Sequence, residues 1–191
     1  MFENITQIDF DILYWIQDNL KNAFLDVLMP FFSIAEEGGV IWIALAIGLI
    51  CFKKTRYCGI AILLAMAVDT IICEGIIKNI VCRVRPCNQV DDLVMLVSKP
   101  QSYGFPSNHS ASSFAAATAF AINIRKKLWA IPVFLLATIV AVSRLYNFVH
   151  FPSDVLVGTI LGILIAVIVC YIMDKSGFKA FLQRKNVIVS E

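Results

Sequence analysis

The chain has 191 residues, of which 16% are Asp, Glu, Lys or Arg, 59% are apolar and 12% are aromatic, and its mean hydropathy is +0.79. Soluble domains carry about 25% charge and ~45–50% apolar residues, so this is neither an ordinary soluble domain nor a disordered chain. A formal net charge of +2 and six cysteines exclude a nucleic-acid partner and a secreted disulfide scaffold, leaving a small integral membrane protein.

In chain order, Ile5 to Leu20 mixes apolar residues with Asp9, Asp11 and Asp18. Ile8, Ile12, Trp15 and Ile16 recur at helical spacing, which predicts an amphipathic helix over residues 1–20 lying on the membrane surface. A continuous extension of the first span fits the periodicity equally well. A span needs roughly 20 mostly apolar residues, fewer where its ends reach the headgroups. Six runs qualify: Ala23 to Ala35, Gly38 to Phe52, Tyr57 to Ile77, Ala111 to Ile124, Leu128 to Val142 and Val155 to Met173. The expected fold is all-α: a six-helix transmembrane bundle in one domain spanning 1–191, with residues 174–191 as a cytoplasmic tail.

Charge sets the orientation. Lys53, Lys54 and Arg56, then Arg125, Lys126 and Lys127, then Lys175, Lys179, Arg184 and Lys185 alternate in parity with the other loops. By the positive-inside rule these clusters face the cytoplasm. Both termini are then cytoplasmic, in a multi-pass protein of the cell membrane. No cleavable signal peptide is expected, because the first 20 residues lack a basic start and a compact apolar run. The opposite loops hold Glu36 and Glu37, the stretch from Lys78 to Phe105, and Asn147 to Ser153. The long connection from Arg83 to Phe105 reads as a lid or binding loop.

The chemistry-bearing residues gather at these outer ends. Lys78, Arg85 and Arg144 are fixed positive charges that fork onto a phosphate. Phe105-Pro106-Ser107-Asn108-His109-Ser110 opens the fourth span, where free N–H groups and the helix dipole favour an anion and Ser107 adds a hydroxyl. His150 and Asp154 stand four apart, so they share a helical face. The carboxylate can hold one ring nitrogen and leave the other for attack on phosphorus, with His109 as general acid.

Lys78-x6-Arg85-Pro86, then Pro106-Ser107-Asn108-His109, then Ser143-Arg144-x5-His150-x3-Asp154 resemble the three-part signature of the type 2 phosphatidic acid phosphatase family. The resemblance implies catalytic roles for His150, which would carry a phosphohistidine, for Asp154, which would orient it, and for His109, which would protonate the leaving group. It assigns phosphate binding to Lys78, Arg85, Ser107, Asn108 and Arg144, and requires no metal and no cofactor. One position departs from the pattern: the family usually has Gly where this chain has Asn108. Asn tolerates left-handed backbone angles better than most residues, so the turn should survive.

Other residues have plainer readings. Arg83 reads as a solvated loop charge, with a headgroup contact as the alternative. Asp91 and Asp92 read as solvated. Glu74 is one turn from Lys78 and positioned to pair with it. Asp69, near mid-membrane, reads as a buried hydrogen-bonded packing residue rather than part of a proton path. Gly158-x3-Gly162 reads as close intramolecular packing, with a homodimer seam as the alternative. Cys82 and Cys87 read as free thiols, with a disulfide between them as the alternative. A zinc site on His109 and His150 lacks a third ligand.

The expected function is hydrolysis of a lipid phosphate on the outer side of the membrane, with undecaprenyl diphosphate as the leading substrate. Phosphatidylglycerophosphate, phosphatidic acid and diacylglycerol diphosphate are the alternatives. A lipid or phosphate transporter is the alternative of another class, since it needs the cations but no nucleophile and acid.

Overall fold

The computed structural model describes residues 2–91 and 93–178. Asp92 and most of the basic tail (Lys179, Arg184 and Lys185), for which the sequence sets expectations above, lie outside them. The described residues form helices without strands: α1 (Phe2–Leu20), α2 (Leu25–Ala35), α3 (Val40–Cys51), α4 (Arg56–Thr70), α5 (Lys78–Val81), α6 (Asn108–Asn123), α7 (Ala130–Tyr146) and α8 (Pro152–Lys175). Ile71–Ile77 joins α4 to α5 as a π-helical stretch, a widened turn of the kind that often marks functional sites.

The core is built around α6, whose small side chains let neighbours come close. Ala111, Ala115, Ala116, Ala117 and Ala119 are fully buried. On α8, a Cβ at Gly158 would meet the Ser107 carbonyl and one at Gly162 the Ala111 carbonyl. The glycine pair therefore packs within the chain. Gly162→Leu is expected to cost about 1–3 kcal/mol by overpacking, read as a lowered Tm in detergent; an unchanged Tm would contradict this contact. Trp42 Nε1 of α3 donates to Ser113 Oγ of α6 at 2.9 Å. At the other end, Tyr57 Oη donates to Asp174 Oδ1 at 2.8 Å, so the start of α4 meets the end of α8.

Among the described residues three stretches are long and apolar enough to cross a bilayer: Arg56–Asn88, Lys127–Tyr146 and Pro152–Lys175. A fourth arises if Leu25–Ala35 and Glu37–Cys51, bent by 52°, count as one broken span. The six expected runs thus do not become six long helices. The α2 and α3 helices have 11 and 12 residues, and at 1.5 Å per residue neither crosses a ~30 Å hydrocarbon core alone. Their elbow is made by Gly38 and Gly39, at φ 66° and 74°, angles that L side chains resist. The α6 helix has 16 residues and is the least apolar of the expected spans.

The α1 helix turns Asp9, Leu13 and Ile16 into the protein and leaves Ile8, Ile12 and Trp15 exposed. It is fastened to the end of α7 and the start of α8. Gln17 Nε2 donates to the Tyr146 carbonyl at 2.9 Å, and Asp9 Oδ1 accepts from the Ser153 N–H at 2.9 Å. The N-terminal helix therefore sits at the same end of the bundle as His150.

Candidate active site

Each site residue is held at a helix end or in a link. Lys78 opens α5, is buried, and donates to Glu74 one turn earlier, the pairing that the i, i+4 spacing predicts. Arg144 lies in the last turn of α7, is buried, and donates through Nη1 to Ser33 Oγ of α2. Arg85 follows α5 and is clamped by the long loop: Nε donates to the Ser102 carbonyl at 2.6 Å and Nη2 to Ser102 Oγ at 3.0 Å. Its Nη1 donates to the Val149 carbonyl at 3.0 Å and stands 2.7 Å from His150 Nε2.

Lys78, Arg85, Asn108, His109, Arg144 and His150 line one cavity of about 330 Å³. The long loop contributes Val97, Ser98, Pro100 and Ser102 to the same wall. Ser107 and Asp154 stand behind it. Ser107 is the N-cap of α6: its Oγ accepts from the Ser110 N–H at 3.5 Å and from Ser110 Oγ at 3.0 Å. Ser107 thus caps α6 and stands outside the cavity lining. Asn108 is the first residue of α6, with helical backbone. Among the described residues only Cys82 and Phe148 are non-glycine residues with positive φ, so a left-handed tolerance at Asn108 is not called upon. Its Oδ1 is buried without a hydrogen-bond partner.

Asp154 is the hub behind His150. Its Oδ2 accepts from the Phe151 N–H at 3.0 Å, reaching back over the first turn of α8. The same oxygen is 3.6 Å from His150 Nδ1, beyond a hydrogen bond, and that nitrogen has no partner. Catalytic hydrogen bonds are often long before substrate arrives. Asp154 Oδ1 accepts from Arg83 Nη1 at 2.6 Å. Arg83 also pairs through Nη2 with Asp9 Oδ2 at 2.7 Å and lies 4.2 Å over the Phe151 ring. It is therefore no solvated loop charge. It links α1 to the His150–Asp154 pair.

Glu36, expected in an outer loop, also belongs to the site. It is buried, accepts from Ser112 Oγ at 2.7 Å and places Oε2 3.3 Å from His109 Nε2. Asp69 is fully buried and accepts from Cys73 Sγ at 3.3 Å. Cys82 and Cys87 are free thiols. Among the described residues no group of three or more His, Cys, Asp or Glu is placed to hold a metal ion.

Burial, and then the charges of Arg85, Arg144 and Lys78, hold the His150 imidazole well below its ordinary value of 6.5. A depressed value keeps the ring neutral as pH falls through 6.5, which is the form a nucleophile needs. The chain has two histidines, so NMR of the ring nitrogens resolves both. His150 is expected to stay neutral at pH 6; a ring half-protonated at 6.5 or above would contradict this environment.

The arrangement presents an unprotonated imidazole, three cations and a second imidazole to one polar cavity, which suits transfer of a phosphoryl group. Comparison with known proteins agrees. The PAP2 superfamily model matches residues 58–178, which contain all three motifs. The undecaprenyl-diphosphatase of Sulfolobus acidocaldarius is 31% identical over 140 residues, 73% of this chain and 66% of that one. The lipid A 4'-phosphatase of Bacteroides thetaiotaomicron is 31% identical over 174 residues, 85% of this chain and 75% of that one. The crystal structure of Aquifex aeolicus LpxE superposes with a TM-score of 0.73 at 26% identity, covering 85% of this chain and 94% of that one.

Proposed function

The chain belongs to the PAP2 superfamily, and from that membership we propose that it is a membrane lipid phosphatase working through a phosphohistidine on His150. The observation that carries this reading is the single cavity shared by Lys78, Arg85, Arg144, His109 and His150, with Asp154 behind the nucleophile.

In the first step a phosphate enters among the three cations and takes over the Arg85 donor now directed at His150 Nε2. The freed Nε2 attacks phosphorus, and the bond to the leaving oxygen breaks as the P–N bond forms. His109 gives that oxygen its proton. Asp154 steadies the positive charge that develops on His150. In the second step water attacks phosphorus, His109 accepts the water proton, and His150 is released as phosphate departs. The fixed cations supply the electrostatic stabilisation of both transition states.

A polyprenyl diphosphate such as undecaprenyl diphosphate is the leading substrate, supported by the identity to the undecaprenyl-diphosphatase of Sulfolobus acidocaldarius. Orientation supports it as well. Lys53, Lys54, Arg56, Arg125, Lys126 and Lys127 belong on the cytoplasmic side, which directs the cavity outward. This reading takes α2 with α3 as one broken crossing and α4–α5, α6, α7 and α8 as four more. It sets α1 at the outer interface, with exposed Ile8, Ile12 and Trp15 toward lipid.

The test is phosphate release by detergent-purified protein in EDTA. Undecaprenyl diphosphate, phosphatidylglycerophosphate and phosphatidic acid are offered separately, beside His150→Ala. Release by wild type alone is the expected result, fastest from undecaprenyl diphosphate. Binding of these lipids without release would favour the transporter alternative.

A further inference from the structure

The elbow between α2 and α3 brings a carboxylate to the general acid. Glu36 is 2% exposed. Its Oε1 accepts from Ser112 Oγ at 2.7 Å, and its Oε2 lies 3.3 Å from His109 Nε2. His109 and Ser112 are one turn apart on α6, so the carboxylate spans that turn. The link is rigid at both sides, because the Glu36 N–H donates to the Phe32 carbonyl at 3.2 Å and its carbonyl accepts from the Gly39 N–H at 2.7 Å. The ring nitrogen that faces Glu36 Oε2 is held there when it carries a proton.

We infer that Glu36 is the positioning residue of the acid step, holding the His109 ring in place and keeping its proton on it until the leaving oxygen takes it. This rests on the reading above, in which His109 protonates that oxygen. The need for such a carboxylate is visible in the surroundings. Arg144 of α7, His150 of the α7–α8 link and Arg85 after α5 line the same cavity as His109, and fixed positive charges beside a ring disfavour its charged form. A bound phosphate dianion offsets the arginines, and Glu36 then leaves His109 charged. As the P–O bond breaks, the proton passes from His109 to the leaving oxygen. As water attacks in the second step, its proton returns the ring to the charged form that Glu36 stabilises.

A purely structural tether to Ser112 needs an acceptor but no charge, and glutamine keeps the acceptor. Glu36→Gln therefore separates the two roles. The full chain in detergent is assayed for phosphate release from undecaprenyl diphosphate and from phosphatidic acid across pH. Wild type is measured first: no release from either lipid would overturn the phosphatase reading itself. With wild type active, Glu36→Gln is expected to move the basic limb of kcat, which reports the substrate-bound enzyme, down by about one pH unit, roughly a ten-fold extra loss on the alkaline side. A lower rate with an unmoved limb would overturn the inference and leave the phosphatase reading intact. Should the variant fail to fold, the wild-type protein decides by NMR of its two histidine rings with inorganic phosphate bound. His109 is expected as the imidazolium at the pH of full activity, and a neutral ring there would overturn the inference.

Discussion

His150→Ala is expected to lower turnover by at least about 10⁴-fold, the scale of losing a nucleophile from a working constellation, while phosphate affinity changes little. The asymmetry follows from the geometry. The imidazole is 1% exposed and is the cavity group able to bond phosphorus while Asp154 faces its far side. Lys78, Arg85 and Arg144 line the cavity independently of it and still bind an anion when it is gone. The loss should therefore fall on kcat and leave KM within a few-fold. A carrier that binds lipid phosphate through the cations alone would lose neither. Kinetics on lipid substrate beside inhibition by inorganic phosphate check this; a loss confined to KM would contradict the nucleophile role.

Arg83→Met is expected to be the most costly change outside the cavity. The guanidinium joins Asp154, which is 0% exposed, to Asp9, which is 5% exposed, at 2.6 and 2.7 Å. Removing one partner of a buried pair leaves uncompensated charge, typically about 3–5 kcal/mol. Arg83 itself is 19% exposed, so solvent relieves part of that and about 3 kcal/mol is the expected loss. Asp9 also accepts from Ser153 Oγ at 2.5 Å, which ties the same cluster to α1. Asp9→Asn in the Arg83→Met background should therefore recover part of the stability, and a double-mutant cycle reads the coupling. At temperatures where the variant is folded, Asp154 loses the contact that fixes Oδ1 and turnover should drop about 10²-fold, as for a misplaced reacting group. Independent, additive losses for Asp9 and Arg83 would contradict the network.

What the sequence made legible were residues whose roles are local or carried by fixed spacing. The His150–Asp154 pair sits one helical turn apart, Lys78 follows Glu74 at the same distance, and the motif cations fall at ends of apolar runs. Two kinds of feature were hidden. One is pairing across the chain: Arg83 meets Asp9 at a separation of 74 residues and Asp154 at 71, and Glu36 meets Ser112 at 76. No periodicity relates such positions. The available signal was energetic, since a lone charge beside apolar runs in so apolar a chain is costly without a partner. The other is the number of crossings. Apolarity marks where a run is, but α2 and α3 are each short, and the two positive-φ glycines between them make a bend that hydropathy does not register. Ser107 shows a third limit: a serine before a helix reads equally as a cap and as a hydroxyl donor, and the structure shows the cap, through its bond to Ser110.

The measurement that bears most directly on the central claim is rapid-quench trapping of the enzyme during turnover of ³²P-labelled lipid, followed by peptide mapping under alkaline conditions that preserve phosphohistidine. The account predicts label on the peptide containing His150, lost on acid treatment and absent from His150→Ala. Steady turnover with no label on His150, or label that persists through acid, would contradict it.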